Sequence, residues 1–413
     1  MTDSRKFKYI RLEDAIELID RHVKCSLQIE EIDLANAYGR VLAEDIISKV
    51  DLPLYDMAHF DGYALRTSDV TSASPKSPVK LKVKAKIYPS TTKLESIGFG
   101  EAAYITTGSF MPVGADGILP VEAALVKGDV VEVKYAVKPG EHVIKAGSDV
   151  RRGECVLRRG HRLRGQDLAL LALIGYGKVK VYSRPKVGIL PIGDELTCNY
   201  GEVKVGKVPC GHLLMISSFV VRDGGIPISF DVTPDDIDAI SNAISKAANK
   251  CDIILTISGA SKGERDYVED AIGKVDGGHV VFHGVMVKPG RQTGFALVKN
   301  KPLIMLPGLS HSTIVGYCMI ARRALFRLMS LGEPWDKPLR AKMAMSFDLP
   351  PPKGFKRVVF MRVEKAGSDY LAWPIKGESA LVSIPVRSHG YAVFDEGVER
   401  VNEGSIIDIQ ILY

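Results

Sequence analysis

From residue 186 onward, short apolar runs alternate with stretches of helical periodicity. KVGILPIG, IPISFDV, DIILTIS and PLIMLPG are short, rich in Ile and Leu, and bounded by Gly, Pro or charged residues, so they read as buried strands. Between and after them, HLLMISSFVV (212–221), the series Ile237, Ile240, Ile244 and Ala247, a segment beginning near Asp266, and a long stretch from about Ser312 to Leu331 read as helices. Strands that alternate with helices commit this segment to a parallel α/β sheet.

In an open α/β sheet, ligands gather beyond the carboxyl ends of the strands. Three strand ends here carry similar chemistry. ILPIGDEL closes on Gly193, Asp194 and Glu195; ILTISGASKGERDYV on Gly259, Ser261, Gly263 and Asp266; IMLPGLSHST on Pro307, Gly308, Ser310 and Ser312. Glycine lets backbone N–H groups approach an anion, and a helix N-terminus adds about 0.3–1 kcal/mol for negative charge. Carboxylates beside a phosphate repel it unless a divalent cation lies between them, and Mg²⁺ is commonly held by one or two carboxylates plus substrate phosphates. The residues therefore predict a phosphate grip with Asp266 as a metal-holding acid. Any one of these ends is also compatible with an ordinary turn, and Asp266 with an early-helix acid; three in one domain favour a site.

The flanking segments have a different texture. Leu12, Ala15, Ile16, Ile19 and Val23 predict an amphipathic helix over 12–23. Alternating runs such as VKLKVKAKIY (79–88) and VVEVKYAV (130–137) predict a β-rich lobe, QDLALLALI (166–174) another helix, and the chain beyond Pro338 turns β-like again. A net charge of +6 over 413 residues is far from a nucleic-acid-binding stripe and suits an anionic small molecule. No apolar run reaches the ~18 residues of a membrane span. The start MTDSRKFKYI lacks the apolar core of a signal peptide, so a cytoplasmic chain is expected. The six cysteines are scattered without a CxxC pair, which predicts reduced thiols rather than a disulfide frame or a zinc site.

Eight motifs in order, spread over nearly the whole chain, resemble the molybdopterin molybdenumtransferases, the MoeA and gephyrin E-domain family. They are DMAHFDGYALRTSDV (56–70), AAYITTGSFMPVGADGILPVEAA (102–124), GEHVIKAGSDVRRGECVLRRGHRL (140–163), GDEL (193–196), SGASKGERDYV (258–268), KPGRQTGFA (288–296), LPGLS (306–310) and KGESALVSIPVRSHGYAV (376–393). The resemblance implies a multidomain α/β plus β protein. Residues 1–50 and 145–180 would form an elongated domain, 51–144 an inserted β-rich lobe, 181–332 a central molybdopterin-binding α/β domain of the MogA/MoaB kind, and 333–413 a C-terminal β-barrel-like domain. It also implies a homodimer that inserts molybdate, or tungstate, into adenylylated molybdopterin and releases AMP with Mg²⁺. Carried over by motif, Asp61, Asp149, Glu195 and Asp266 are the candidate catalytic acids, with Glu195 and Asp266 holding the metal. Thr107 and Ser379 are candidate donors to oxyanions, Lys288 and Arg291 candidate cations for phosphate or molybdate, and Gly193, Asp194, Gly259, Ser261, Gly263, Pro307, Gly308 and Ser310 candidate substrate contacts.

The chain departs from the family pattern at several places. Phe60 replaces Met, Ser258 stands where glycine is usual, and Arg291 replaces Lys, exchanging a point charge for a fork. Leu309-Ser310 replaces Asn-Pro, and VPCGHLL (208–214) replaces an Asp-Ser-Asn segment. These changes leave two alternatives open: a non-catalytic molybdopterin or cofactor carrier, and a nucleotide pyrophosphatase.

Overall fold

The computed structural model describes residues 8–201, 203–258, 267–332, 337–349, 352 and 354–412. The chain forms two compact units, one from residues 31–38 and 42–180, the other from 1–30, 39–41 and 181–413.

The smaller unit is organised by a six-stranded sheet in the order Gly117–Pro120, Gly62–Leu65, Glu101–Ile105, Val79–Ile87, Val130–Val133 and Leu125–Lys127. Along Val79–Ile87 the lysines at 80, 82, 84 and 86 are exposed while Leu81 and Ile87 are buried, so the alternating run forms the half-buried strand it predicts. Apolar clusters cover both faces of the sheet, Tyr63, Leu65, Leu81 and Val131 on one and Ala64, Ile87, Ala103 and Ile105 on the other.

The larger unit holds the α/β domain. Its sheet runs Ile226–Ser229, Lys186–Pro191, Ile253–Ile257, Lys301–Leu306, Gly294–Val298, His279–His283. The first four strands are parallel. The last two are antiparallel additions at one edge, which the alternating pattern alone does not disclose. The local cause is a two-residue turn at Lys299 (φ 48°) and Asn300 (φ 60°), both left-handed as a tight hairpin requires. Helix Ile237–Lys250 opens on Asp236, whose carboxylate accepts from the Ala239 N–H at 2.8 Å. It buries Ile240, Ile244 and Ala247 against Leu190, Ile254 and Met305 of the sheet. Helix Leu12–His22 buries Leu12, Ala15 and Ile19 of the predicted stripe, with Ile16 half-buried and Val23 buried just past its end, and its Asp20 accepts from Arg323 at 2.8 Å.

The C-terminal strands Lys356–Ala366, Asp369–Pro374, Leu339–Met343, Ile406–Ile411 and Gly390–Phe394 pair in that order, and the last pairs back on the first, closing a barrel. Met343, Met361, Ala372, Ala392 and Ile409 fill it. The short strand Val287–Lys288 joins this sheet beside Lys356 and Arg357, stitching the α/β domain to the barrel. No helix among the described residues is long and apolar enough to cross a membrane.

The sequence predicts one continuous helix from Ser312 to Leu331. The chain is indeed helical from Ser310 to Leu328, with a π-type turn at Tyr317–Ala321 between the α-helical stretches Ser310–Gly316 and Arg322–Leu328. Beside this turn lies Asp223, the residue that ends helix Gly211–Arg222, only 1% exposed. Its carboxylate accepts from the Tyr317 hydroxyl at 3.0 Å, from Arg322 Nε at 3.1 Å, and from Arg222 Nε and Nη2 at 3.2 and 3.0 Å. The wider turn thus aims Tyr317 and Arg322 at one buried anion. Removing one member of a buried charge network strands the others, at about 3–5 kcal/mol. Asp223→Ala should therefore lower stability by about that amount in chemical denaturation, whereas Tyr317→Phe, which deletes one hydrogen bond to the carboxylate, should cost about 1.5–3 kcal/mol.

Candidate active site

The carboxyl ends of three parallel strands are level. Pro191 pairs with Ile257, and Ile257 with Leu306. At these ends lies a cavity of about 240 Å³ lined by Glu195, Cys210, Gly211, His212, Ser258, Gly308 and Val382, among others. The Glu195 carboxylate packs over Gly193, whose φ is 151°: a Cβ there would lie within 2.8 Å of it. Asp194 is held elsewhere. Its Oδ1 accepts from the Asp235 N–H at 3.2 Å, and its own N–H donates to Asp235 Oδ2 at 3.3 Å. Glu195, not Asp194, is the acid on the cavity wall.

Ser258 occupies the left-handed region at φ 73°, an uncommon place for a non-glycine residue. Its N–H donates to the Leu306 carbonyl at 3.0 Å. Its side chain fills the space beside Gly308, where a Cβ would come within 2.9 Å of Ser258 Oγ and 3.1 Å of its Cβ. Ser310 is 2% exposed and shares a hydrogen bond with His212 Nε2 at 2.8 Å. The Pro307 carbonyl accepts from the Thr313 hydroxyl at 2.6 Å, which fixes the start of the last helix. Gly259, Ser261, Gly263 and Asp266 lie outside the described residues.

A second cavity, about 590 Å³, is lined by Lys288, His311, Arg357, Lys376 and Ser379 among others. It brings together two of the residues expected to meet anions, Lys288 and Ser379. His311 joins helix to barrel here. Its backbone N–H donates to the Ser379 carbonyl at 3.1 Å, its Nε2–H to the Leu381 carbonyl at 3.1 Å, and its ring packs 4.8 Å from Phe360. Arg291 is exposed and does not line this cavity. Arg357, 4% exposed, does line it, and sequence reasoning missed it; its only signal was a basic residue within the apolar run RVVFM.

In the smaller unit, Asp61 and Thr107 meet directly. The Thr107 N–H and hydroxyl both donate to Asp61 Oδ1 at 2.7 Å. These two bonds, the backbone one first, hold the Asp61 carboxyl below its ordinary pKa although it is open to solvent. Phe60 beside it is 45% exposed, with its ring 4.9 Å from His142. Asp149 is exposed, and among the described residues it makes no ion pair with Arg151 or Arg152; its N–H donates to the Leu52 carbonyl at 3.0 Å. No group of three or more His, Cys, Asp or Glu among the described residues could hold a metal by itself. Glu195 alone suits an ion that takes most of its ligands from water and substrate phosphates, as Mg²⁺ does.

Residues 10–175 match the MoeA N-terminal region (domain I and II), residues 188–327 a probable molybdopterin binding domain, and residues 342–412 the MoeA C-terminal region (domain IV). A putative molybdopterin biosynthesis protein of Methanocaldococcus jannaschii is 30% identical over 406 residues, covering 96% of this chain and 95% of that one. This chain belongs to the MoeA family. A MoeA relative from Bacillus subtilis, named molybdopterin molybdenumtransferase, is 26% identical over 95% of this chain and 91% of its own. The molybdopterin biosynthesis MoeA protein of Pyrococcus horikoshii superposes with a TM-score of 0.85 at 29% identity, covering 98% of this chain and all of the other.

Against the MoeA pattern, three of the departures prove to be neighbours. Ser258 fills the space at Gly308, Ser310 bonds His212, and Cys210 and His212 line the same cavity as Ser258 and Gly308. Coupled positions do not respond additively. Gly308→Ala alone should cost about 1–3 kcal/mol through overpacking against Ser258. In a Ser258→Gly background the same change should cost less than about 0.5 kcal/mol. Equal costs in the two backgrounds, measured by denaturant titration, would show that the two positions are independent.

Burial holds the imidazoles of both His212 and His311 below their ordinary pKa, with the Leu381 carbonyl working against this at His311. The native state thus resists protons that the unfolded chain accepts below about pH 6.5. Stability should be full above about pH 6.5 and fall as the pH drops below it towards the folded values. Replacing both by Gln should flatten that part of the curve of denaturation midpoint against pH, and an unchanged slope would refute the assignment.

Proposed function

We propose that this MoeA-family chain inserts molybdate into adenylylated molybdopterin and releases AMP, with Mg²⁺ required. The observation that carries the reading is the cavity at three level strand ends, with Glu195 on its wall and the first residues of helix Gly211–Arg222 at its edge. A pyrophosphate suits such a place, because helix N–H groups and the backbone N–H groups of glycine donate to anionic oxygens at close range. Mg²⁺, held by Glu195 and substrate oxygens, would polarise the phosphorus. Lys288, Arg357 and Ser379 in the second cavity offer positive charge and a hydroxyl for the remaining oxyanions. Asp61, kept ionised by Thr107, is suited to accept a hydrogen bond. The same family resemblance supports a homodimer as the working form, and tungstate as an alternative oxyanion.

The test is AMP release from adenylylated molybdopterin, followed chromatographically with and without molybdate and Mg²⁺. Release should require both additions, and Glu195→Gln should slow it by about 10²–10⁴-fold while the protein stays folded. Release without molybdate would favour a pyrophosphatase. Tight binding with no release would favour a carrier.

A further inference from the structure

The cavity wall contains one thiol, Cys210, that the proposed transfer does not use, and a second, Cys198, lies beside it. Cys198 is exposed and Cys210 is 4% exposed, and their sulfurs lie 3.3 Å apart. The backbone explains the approach. Leu196 pairs with Val208 and Thr197 with Pro209 in parallel, so Cys198 and Cys210 are next in the same register, and the Cys210 N–H donates to the Thr197 carbonyl at 2.9 Å. Adjacent strands lie about 4.8 Å apart, inside the roughly 4.4–6.8 Å Cα separation that disulfides span. The sulfurs need to close only to about 2.05 Å. The described loop residues 199–208 between them are exposed, so the Cys198 side has room to move.

We propose that Cys198 and Cys210 form a reversible disulfide, a modification site at the edge of the Glu195 cavity, which Cys210 lines. The oxidant is a small-molecule disulfide, RSSR. The Cys198 thiolate attacks one sulfur of RSSR, breaking its S–S bond, and the leaving RS⁻ takes up a proton. The Cys210 thiolate then attacks Cys198 Sγ, forming the Sγ–Sγ bond and expelling the second RS⁻, which is protonated in turn. Two protein thiols lose two electrons and two protons, and RSSR becomes two RSH. Burial and the neighbouring Cys210 push the Cys198 thiol above its ordinary pKa, and the Tyr200 hydroxyl, 3.7 Å from Cys210 Sγ, is pushed up to about 12, by burial first. A scarce thiolate slows exchange, but a disfavoured thiolate also favours the bridged form once it is made. The closed bridge ties the loop to the residue that opens helix Gly211–Arg222, whatever ligand fills the cavity.

The full-length protein equilibrated with excess oxidised glutathione, alkylated, and mapped by non-reducing peptide mass spectrometry should give a Cys198–Cys210 linked peptide that dithiothreitol removes. Cys210→Ser should instead leave a lasting glutathione adduct on Cys198, and Cys198→Ser should abolish the bridge. A lasting adduct on Cys198 in the unmutated chain, no thiol loss at either position, or a bridge to another cysteine would each overturn the proposal.

Discussion

The parallel register of three strands is the constraint from which the site follows. Pairing Pro191 with Ile257 and Ile257 with Leu306 makes three loops leave the sheet at one level. A one-residue slip in any pair would turn Ile254 and Met305 out of the apolar cluster they share with Ile240 and Ile244, so the core that stabilises the sheet also fixes the geometry of the loops. What those loops carry can then vary with little effect on the scaffold. Glu195, Ser258 and Gly308 face one cavity because the ladder beneath them leaves them no other place.

Much of this was legible in the sequence. The α/β alternation, the helix stripe Leu12–Ile19, the alternating strand Val79–Ile87 and the β-rich chain end follow from periodicity, because burial on one face imposes that pattern. The antiparallel edge was harder to see. Its signal is the turn at Lys299-Asn300, and a lysine is not a residue that advertises a left-handed turn. The π-turn at Tyr317–Ala321 was invisible for a different reason. A buried helix and its π-turn share one apolar composition, and the anion that rewards the turn, Asp223, lies 94 residues earlier.

The site was legible as residue types but not as partnerships. Asp61 and Thr107 were both named as candidates, yet nothing in their separation of 46 positions says that one holds the other ionised. Ser310 was expected to face a substrate and is buried against His212. Departures that look like separate losses when read along the chain form one rebuilt wall in space. Substituting them singly towards the family pattern disturbs contacts that they make with one another.

Helix Leu12–His22 belongs to the same unit as the strands that follow residue 181, and its Asp20 bonds Arg323 across 303 positions. During synthesis at about 5–20 residues per second, its apolar stripe therefore waits roughly 15–60 s for the surface that covers it. The smaller unit is translated in full within that interval. The apolar stripe of the newborn chain thus stays uncovered until the last third of the polypeptide has been made.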